Sequence, residues 1–215
     1  MTRAHAQDAQ PTVTRTSRVL SHFDLGVSGI ALFTKGVSGT VNQPVLGQPY
    51  QVDQTASTAA GALVTLRGQK SAFKGFELNY GYGRTAQTYT CCNTNPNNGT
   101  FVGPLVAQAA ANEFTLGYLV RPERTIFGFK PYISAGAGTM EFKPTRNGGQ
   151  GLQPQARAAY YYSVGGENLL VGDTLGVRFG VRQLFYKAPD FGQNYLTLKK
   201  LTNTFEPQIG LYLHF

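Results

Sequence analysis

The sequence predicts an all-β protein, an eight-stranded antiparallel up-and-down transmembrane β-barrel. Three observations carry that prediction. Eight segments alternate apolar and polar residues with the period of a strand, whose side chains point to opposite faces in turn. Short and long connections alternate between them. No run of the roughly 18 apolar residues that a membrane helix needs occurs in the 215-residue chain.

The first segment, residues 22–33, sets Phe23, Leu25, Val27, Gly29, Ala31 and Phe33 against His22, Asp24, Gly26 and Ser28. The second, 62–69, sets Ala62, Val64 and Leu66 against Thr65, Arg67 and Gln69. In the third, 76–83, Phe76, Leu78, Tyr80 and Tyr82 oppose Glu77, Asn79, Gly81 and Gly83. In the fourth, 113–120, Phe114, Leu116, Tyr118 and Val120 oppose Glu113, Thr115 and Gly117.

The fifth, 127–138, places Phe127, Phe129, Pro131, Ile133, Ala135 and Ala137 against Lys130, Tyr132, Ser134, Gly136 and Gly138. The sixth, 159–167, places Tyr160, Tyr162 and Val164 against Tyr161, Ser163, Gly165 and Glu167. The seventh, 175–182, turns Leu175, Val177, Phe179 and Val181 away from Gly176, Arg178, Gly180 and Arg182. The last, 205–215, carries Phe205, Pro207, Ile209, Leu211, Leu213 and Phe215 on one parity and Glu206, Gln208, Gly210, Tyr212 and His214 on the other.

Short links fall at about 71–75, 121–125 and 169–173, and long ones at about 35–61, 85–112, 142–157 and 188–203. Successive links of an up-and-down barrel lie at opposite ends, so the short turns and both termini share one end. Short periplasmic turns, long outer loops and an even strand number describe a barrel of the bacterial outer membrane. The expected sidedness puts the long loops outside the cell and the termini in the periplasm.

A soluble eight-stranded barrel such as a lipocalin shows the same alternation turned inside out. Three features favour lipid outside. The polar parity is rich in Gly and isolated charges rather than the dense Lys, Glu, Thr and Gln of a wetted surface. The apolar parity is Phe, Tyr, Leu, Ile and Val with aromatics near strand ends, as two membrane interfaces require. The alternating loop lengths and the terminal Phe215 suit insertion with one end in each compartment.

The polar parity carries Arg67, Lys130, Arg178 and Arg182 against Asp24, Glu77, Glu113, Glu167 and Glu206. A barrel of eight strands has room inside only for side chains, and buried charges are tolerated when paired and hydrogen-bonded. The expectation is a salt-bridged polar plug, with a narrow channel for small solutes as the alternative. The overall charge of +8 then lies mostly elsewhere. At the long-loop end Lys35, Arg84, Lys143, Arg146, Arg157, Lys187, Lys199 and Lys200 outnumber Asp53, Glu141 and Asp190. Accommodation of anionic outer-leaflet lipid, lipopolysaccharide included, accounts for that excess. No specific nucleic-acid partner is expected.

Residues 1–17 read as a polar, flexible head, leaving 18–215 for the barrel. Ala4-His5-Ala6 has the small-x-small form of a signal-peptidase site. The apolar stretch that should precede such a site is missing, so the triplet stands between a signal-peptide remnant and coincidence.

Over these residues the chain resembles the small outer-membrane β-barrel family, which includes the transmembrane domain of outer-membrane protein A and eight-stranded adhesin-like barrels. KPYISAGAG (130–138) is similar to a strand that the family writes as Pro-Tyr/Phe followed by alternating Gly and Ala. LGVRFGVRQLFYKAPDF (175–191) is similar to its penultimate strand and loop entry. Leu211, Leu213 and Phe215 resemble the C-terminal signal read by the barrel-assembly machinery. The resemblance implies fold and location; family members range from structural anchors to adhesins and lipid-modifying enzymes. With no peptidoglycan-binding domain after the barrel, that anchoring role is not expected.

A lipid-modifying enzyme needs a nucleophile and a base within reach of each other. His22 and His214 fall inward at the short-turn end, where the first and last strands must pair to close the barrel, and Asp24 is beside them. No third metal ligand or matched Ser accompanies them. No metal and no cofactor is therefore expected, and the chain is read as non-enzymatic. Cys91 and Cys92 are adjacent in the second long loop. Neighbouring Cα atoms about 3.8 Å apart fall below the usual disulfide range, so a vicinal bond is strained. That bond, a cross-link between molecules and a modification all fit an exported loop. The function expected is structural, adhesive or surface-interacting through the loops, or membership of a larger envelope complex through a protein partner.

Overall fold

The computed structural model describes residues 22–41, 49–71, 73–91 and 104–215. It contains ten strands: β1 (Phe23–Thr34), β2 (Val37–Val41), β3 (Tyr50–Ala56), β4 (Ala59–Gln69), β5 (Lys74–Cys91), β6 (Leu105–Val120), β7 (Lys130–Pro144), β8 (Gln155–Val171), β9 (Leu175–Lys187) and β10 (Leu201–His214). Eight of them close the barrel. β1 pairs with β4 and with β10, the chain of antiparallel neighbours runs from β10 back through β9, β8, β7 and β6, and β5 joins β6 to β4. Every barrel strand thus has two hydrogen-bonded neighbours, which removes the sheet edge that a bilayer would leave unsatisfied.

Alternation explains the local choice of strand. On β10, Leu211 and Leu213 are exposed while Tyr212 is buried; on β6, Phe114 and Leu116 are exposed while Glu113 and Thr115 are buried. The apolar parity therefore faces outward: Leu116 at 59 % and Ile209 at 66 % exposure are far too open for a protein core. The reverse, apolar residues inside, would have made a soluble barrel.

Two of the expected long loops, 35–61 and 85–112, are mostly strand, and a third, 142–157, is shortened at both ends by strand. β5 continues to Cys91 and β6 resumes at Leu105; β7 reaches Pro144 and β8 begins at Gln155. Between β1 and β4, only Lys35–Gly36 separates β1 from β2 and only Ser57–Thr58 separates β3 from β4. β3 takes over from β4 against the upper part of β5, pairing Val52 with Cys91 and Ala56 with Gln87. The wall thus runs on past the exposed apolar belt, and its chemistry inverts where it does. On β7, Ile133 is exposed and Ser134 buried, whereas higher up Met140 and Phe142 are buried beside a half-exposed Glu141 and an exposed Lys143. An interior polar throughout was the expectation; above the membrane the wall meets water, and the apolar side chains turn in.

The fifth strand begins at Lys130 rather than Phe127. Phe127 and Gly128 have φ of 49° and 83°, and Ile126 bridges Phe129, so these two residues are the centre of a tight turn with positive φ at both positions. Residues 1–17, the Ala4-His5-Ala6 triplet, the Cys91 side chain and Cys92 lie outside the described residues.

Candidate functional site: a charged barrel interior

The inward parity of eight strands and one turn meets in a continuous polar network. At the end carrying the short turns, Arg121 Nη2 lies 2.8 Å from Asp24 Oδ2 and Arg178 Nη2 lies 2.7 Å from Asp24 Oδ1. Glu167 receives three arginines: Arg121 Nε at 2.8 Å, Arg67 Nη1 at 3.0 Å and Arg178 Nη2 at 3.0 Å. Arg67 also donates from Nε to Glu77 at 2.9 Å. The other oxygen of Glu77 accepts from the Tyr161 hydroxyl and from Ser134, both at 2.7 Å, and from Asn79 at 3.3 Å. Higher up, Arg182 Nη1 donates to Glu206 at 3.0 Å and to Glu113 at 3.1 Å. Thr115 donates to Glu113 at 2.6 Å.

Each of three arginines rests on a tyrosine. The Arg67 guanidinium carbon is 4.1 Å from the Tyr132 ring centre, Arg178 is 4.6 Å from Tyr212, and Arg182 is 4.8 Å from Tyr161. A cation over a ring face is held by the ring quadrupole, more strongly where water is excluded. The inward glycines make the space. A Cβ on Gly117 would stand 2.0 Å from the Tyr161 hydroxyl, and one on Gly165 or Gly180 would stand 2.6 Å from that of Tyr132. Glycine on the polar parity thus marks where a ring lies flat against the wall.

Of the residues expected in the interior network, Asp24, Arg67, Glu77, Glu113, Glu167, Arg178, Arg182 and Glu206 are all buried and ion-paired. Lys130 is the exception. It stands opposite Glu167 in the register but is the first residue of β7, exposed at the lower mouth, and makes none of the ion pairs. Arg121 occupies the place expected of it. It follows β6 by one residue and keeps the inward parity of Glu113 and Thr115, but it lies in a segment that reads as a turn, beyond the alternating residues 113–120.

His214 stands opposite Asp24, and both line a cavity of about 400 Å³ at this mouth together with Arg121, Lys130 and Glu167. The Asp24 carboxylate is already held by two arginines, so it does not orient the imidazole as a base's partner would. Among the described residues no three metal-binding side chains converge.

Above Glu113 and Glu206 apolar side chains predominate in the lumen, with Gln54, Thr85, Gln87, Thr202 and Thr204 buried among them. Tyr89, Ala107, Ala109, Met140, Phe142, Ala159, Leu184 and Tyr186 pack with Phe191 and Leu196 from the β9–β10 connection. That connection folds over the outer mouth as a cap. The Pro189 carbonyl accepts from Tyr89 at 2.6 Å and Gln54 at 3.0 Å. Asp190 accepts from Thr197 at 2.9 Å and the Gly192 amide at 3.1 Å, bonds Gln155, and pairs with Arg157 at 2.9 Å. Burial pushes this carboxyl up, but the hydrogen bonds and Arg157 outweigh it and hold it below its ordinary value. A cavity of about 20 Å³ lies between the charged and apolar layers, room for about one water.

Leu211, Leu213 and Phe215, the segment resembling the assembly signal, are exposed on the outward face at about half of their surface. The Phe215 amide donates to the Phe23 carbonyl, which ties the last residue to the first strand.

No protein-family model and no curated protein sequence matches the chain. Solved structures do. The outer membrane protein OprG from Pseudomonas aeruginosa aligns with a TM-score of 0.60 at 13 % identity, covering 90 % of this chain and 95 % of that one. The Neisserial surface protein A aligns with a TM-score of 0.51 at 12 % identity, covering 89 % of this chain and 97 % of the other. At such identity the likeness is one of fold. With its apolar exterior and charged interior, this closed eight-stranded barrel has the fold of these small outer-membrane β-barrels.

Proposed function

We propose that the chain is a non-enzymatic outer-membrane protein whose barrel is closed at mid-bilayer and whose work is done at its outer end. The observation that carries this reading is the filling of the lumen by Arg67, Glu77, Arg182 and Glu206, each no more than 2 % exposed and each ion-paired. An ion crossing the barrel would have to displace paired charges and then an apolar layer. The wall above the bilayer, with the β2–β3 hairpin and the β9–β10 cap, is a rigid platform for adhesion or other surface interactions, whether with another cell-envelope protein or with outside material. Short turns and termini face the periplasm in this reading, and Leu211, Leu213 and Phe215 are the handle offered to the assembly machinery.

Planar-bilayer recording tests it. The purified barrel should add no steady conductance steps at neutral pH. Steady single-channel steps would establish the channel reading, for which the charged vestibule of about 400 Å³ at the lower mouth is the supporting observation.

A further inference from the structure

The outward faces of β1 and β9 end alike: Phe33 is followed two residues on by Lys35, and Phe185 by Lys187. β10 runs between them, entered through Lys199 and Lys200. The Lys35 amide donates to the Asn203 carbonyl and the Ala188 amide to the Lys200 carbonyl, both at 2.9 Å. Leu201 stands opposite Lys187. The Lys200 side chain turns to the opposite face, lying along the side of β2 that carries buried Val41, where a Cβ on Gly39 would come 3.2 Å from its Cε. All four lysines are exposed.

Two of the three carboxylates of the same rim are occupied elsewhere. Glu141 pairs with Lys143 at 3.0 Å and Asp190 with Arg157 at 2.9 Å; Asp53 makes no ion pair among the described residues. Among the described residues Lys35, Lys187 and Lys199 make no ion pair, and they stand immediately above an apolar surface that includes Phe33 and Phe205 at 47 % and 44 % exposure.

We propose that Lys35, Lys187 and Lys199 form a binding surface for the phosphate groups of an anionic lipid headgroup in the outer leaflet, whose acyl chains lie against Phe33, Phe185 and Phe205. Lysine is a compact charge suited to phosphate. The continuity of cations with a lipid-facing belt selects a lipid over a free anion. The proposal rests on the outward orientation of the apolar parity described above.

Native mass spectrometry of the folded barrel in non-ionic detergent tests it, with bis-phosphorylated lipid A, its fully dephosphorylated counterpart and inorganic phosphate as probes. Adducts of the phosphorylated lipid should dominate over those of the dephosphorylated one. The combined variant K35Q/K187Q/K199Q should weaken them by roughly tenfold or more, while K143Q, which removes a paired lysine, leaves them unchanged. Equal retention of the two lipids, or an unchanged combined variant, would overturn the proposal. Displacement by equimolar inorganic phosphate would overturn the choice of lipid as the source. Gel mobility with and without boiling, run on the same samples, separates the outcomes. A retained shift with no phosphate preference sinks the lysine surface alone, whereas loss of the shift in the unmodified protein sinks the barrel reading beneath it.

Discussion

The ring of Tyr212 lies across Gly176 on the neighbouring strand, so that a Cβ at position 176 would stand 2.3 Å from the Tyr212 Cζ. The two residues are opposite each other in the β9–β10 register, and Arg178 rests on the far side of the ring. The glycine is there for the space, not for backbone freedom. Gly176→Ala should lower stability by about 1–3 kcal/mol, the usual cost of overpacking. In a Tyr212→Ala background the same change should cost little. The urea midpoint of the boiling-dependent band shift measures both; equal costs in the two backgrounds would contradict the packing.

Arg182 is the only ion-pair partner of Glu113 and of Glu206 among the described residues. Arg182→Met leaves two buried carboxylates facing each other, and removing one member of a buried ionic cluster typically costs about 3–5 kcal/mol. The triple variant R182M/E113Q/E206Q should recover most of that loss, because hydrogen-bonding groups without charge need no counter-ion. Refolding yield into detergent micelles distinguishes the variants: low for the single one, near normal for the triple.

How much of this was legible in the sequence follows from what alternation encodes. Each of the eight barrel strands was legible from its own residues, because one apolar parity set against Gly and charge needs no knowledge of neighbours. The upper wall was not. On β7 the parity of Met140 and Phe142 is that of Ser134, so an inward apolar residue beside an outward Glu141 looks like the end of a strand and the start of a loop. Arg121 was passed over because it lies in the turn after β6, although it keeps the inward parity of Glu113 and Thr115, and Lys130 misled because its correct parity says nothing of its place at the mouth. The stacking of Arg67 on Tyr132 joins β4 to β7 across the lumen, a relation that no local pattern records. The inward glycines are the one trace of it.

The β9–β10 cap should respond to acid in a defined direction. Asp190 has its folded value held below the ordinary one, so its contribution is fully present above the unfolded carboxylate value of about 3.9 and fades as pH falls through the lower folded value. Hydrogen exchange of residues 188–198 should therefore be slow at neutral pH and rise only in strong acid. Asp190→Asn should exchange faster at neutral pH and lose the dependence. An unchanged exchange rate in that variant would show that the cap is held by Phe191 and Leu196 alone.

Phe127 adopts φ of 49° with its side chain 99 % exposed. A bulky residue in that conformation is strained by an amount of order 1 kcal/mol, and the position before Gly128 is where Asn is favoured. Phe127→Asn should raise the urea midpoint and Phe127→Val should lower it. Two variants of equal stability would mean the turn relaxes without strain.

The account depends on lipid touching the apolar parity. Single bimane-labelled cysteines, placed in a C91S/C92S background at Val27, Leu116, Ile133 and Ile209 and at Ser28, Thr115 and Ser134, measure that contact through quenching by brominated acyl chains. The first four positions should be quenched and the last three spared. Quenching at Ser28, Thr115 and Ser134 with Val27, Leu116, Ile133 and Ile209 shielded would contradict it.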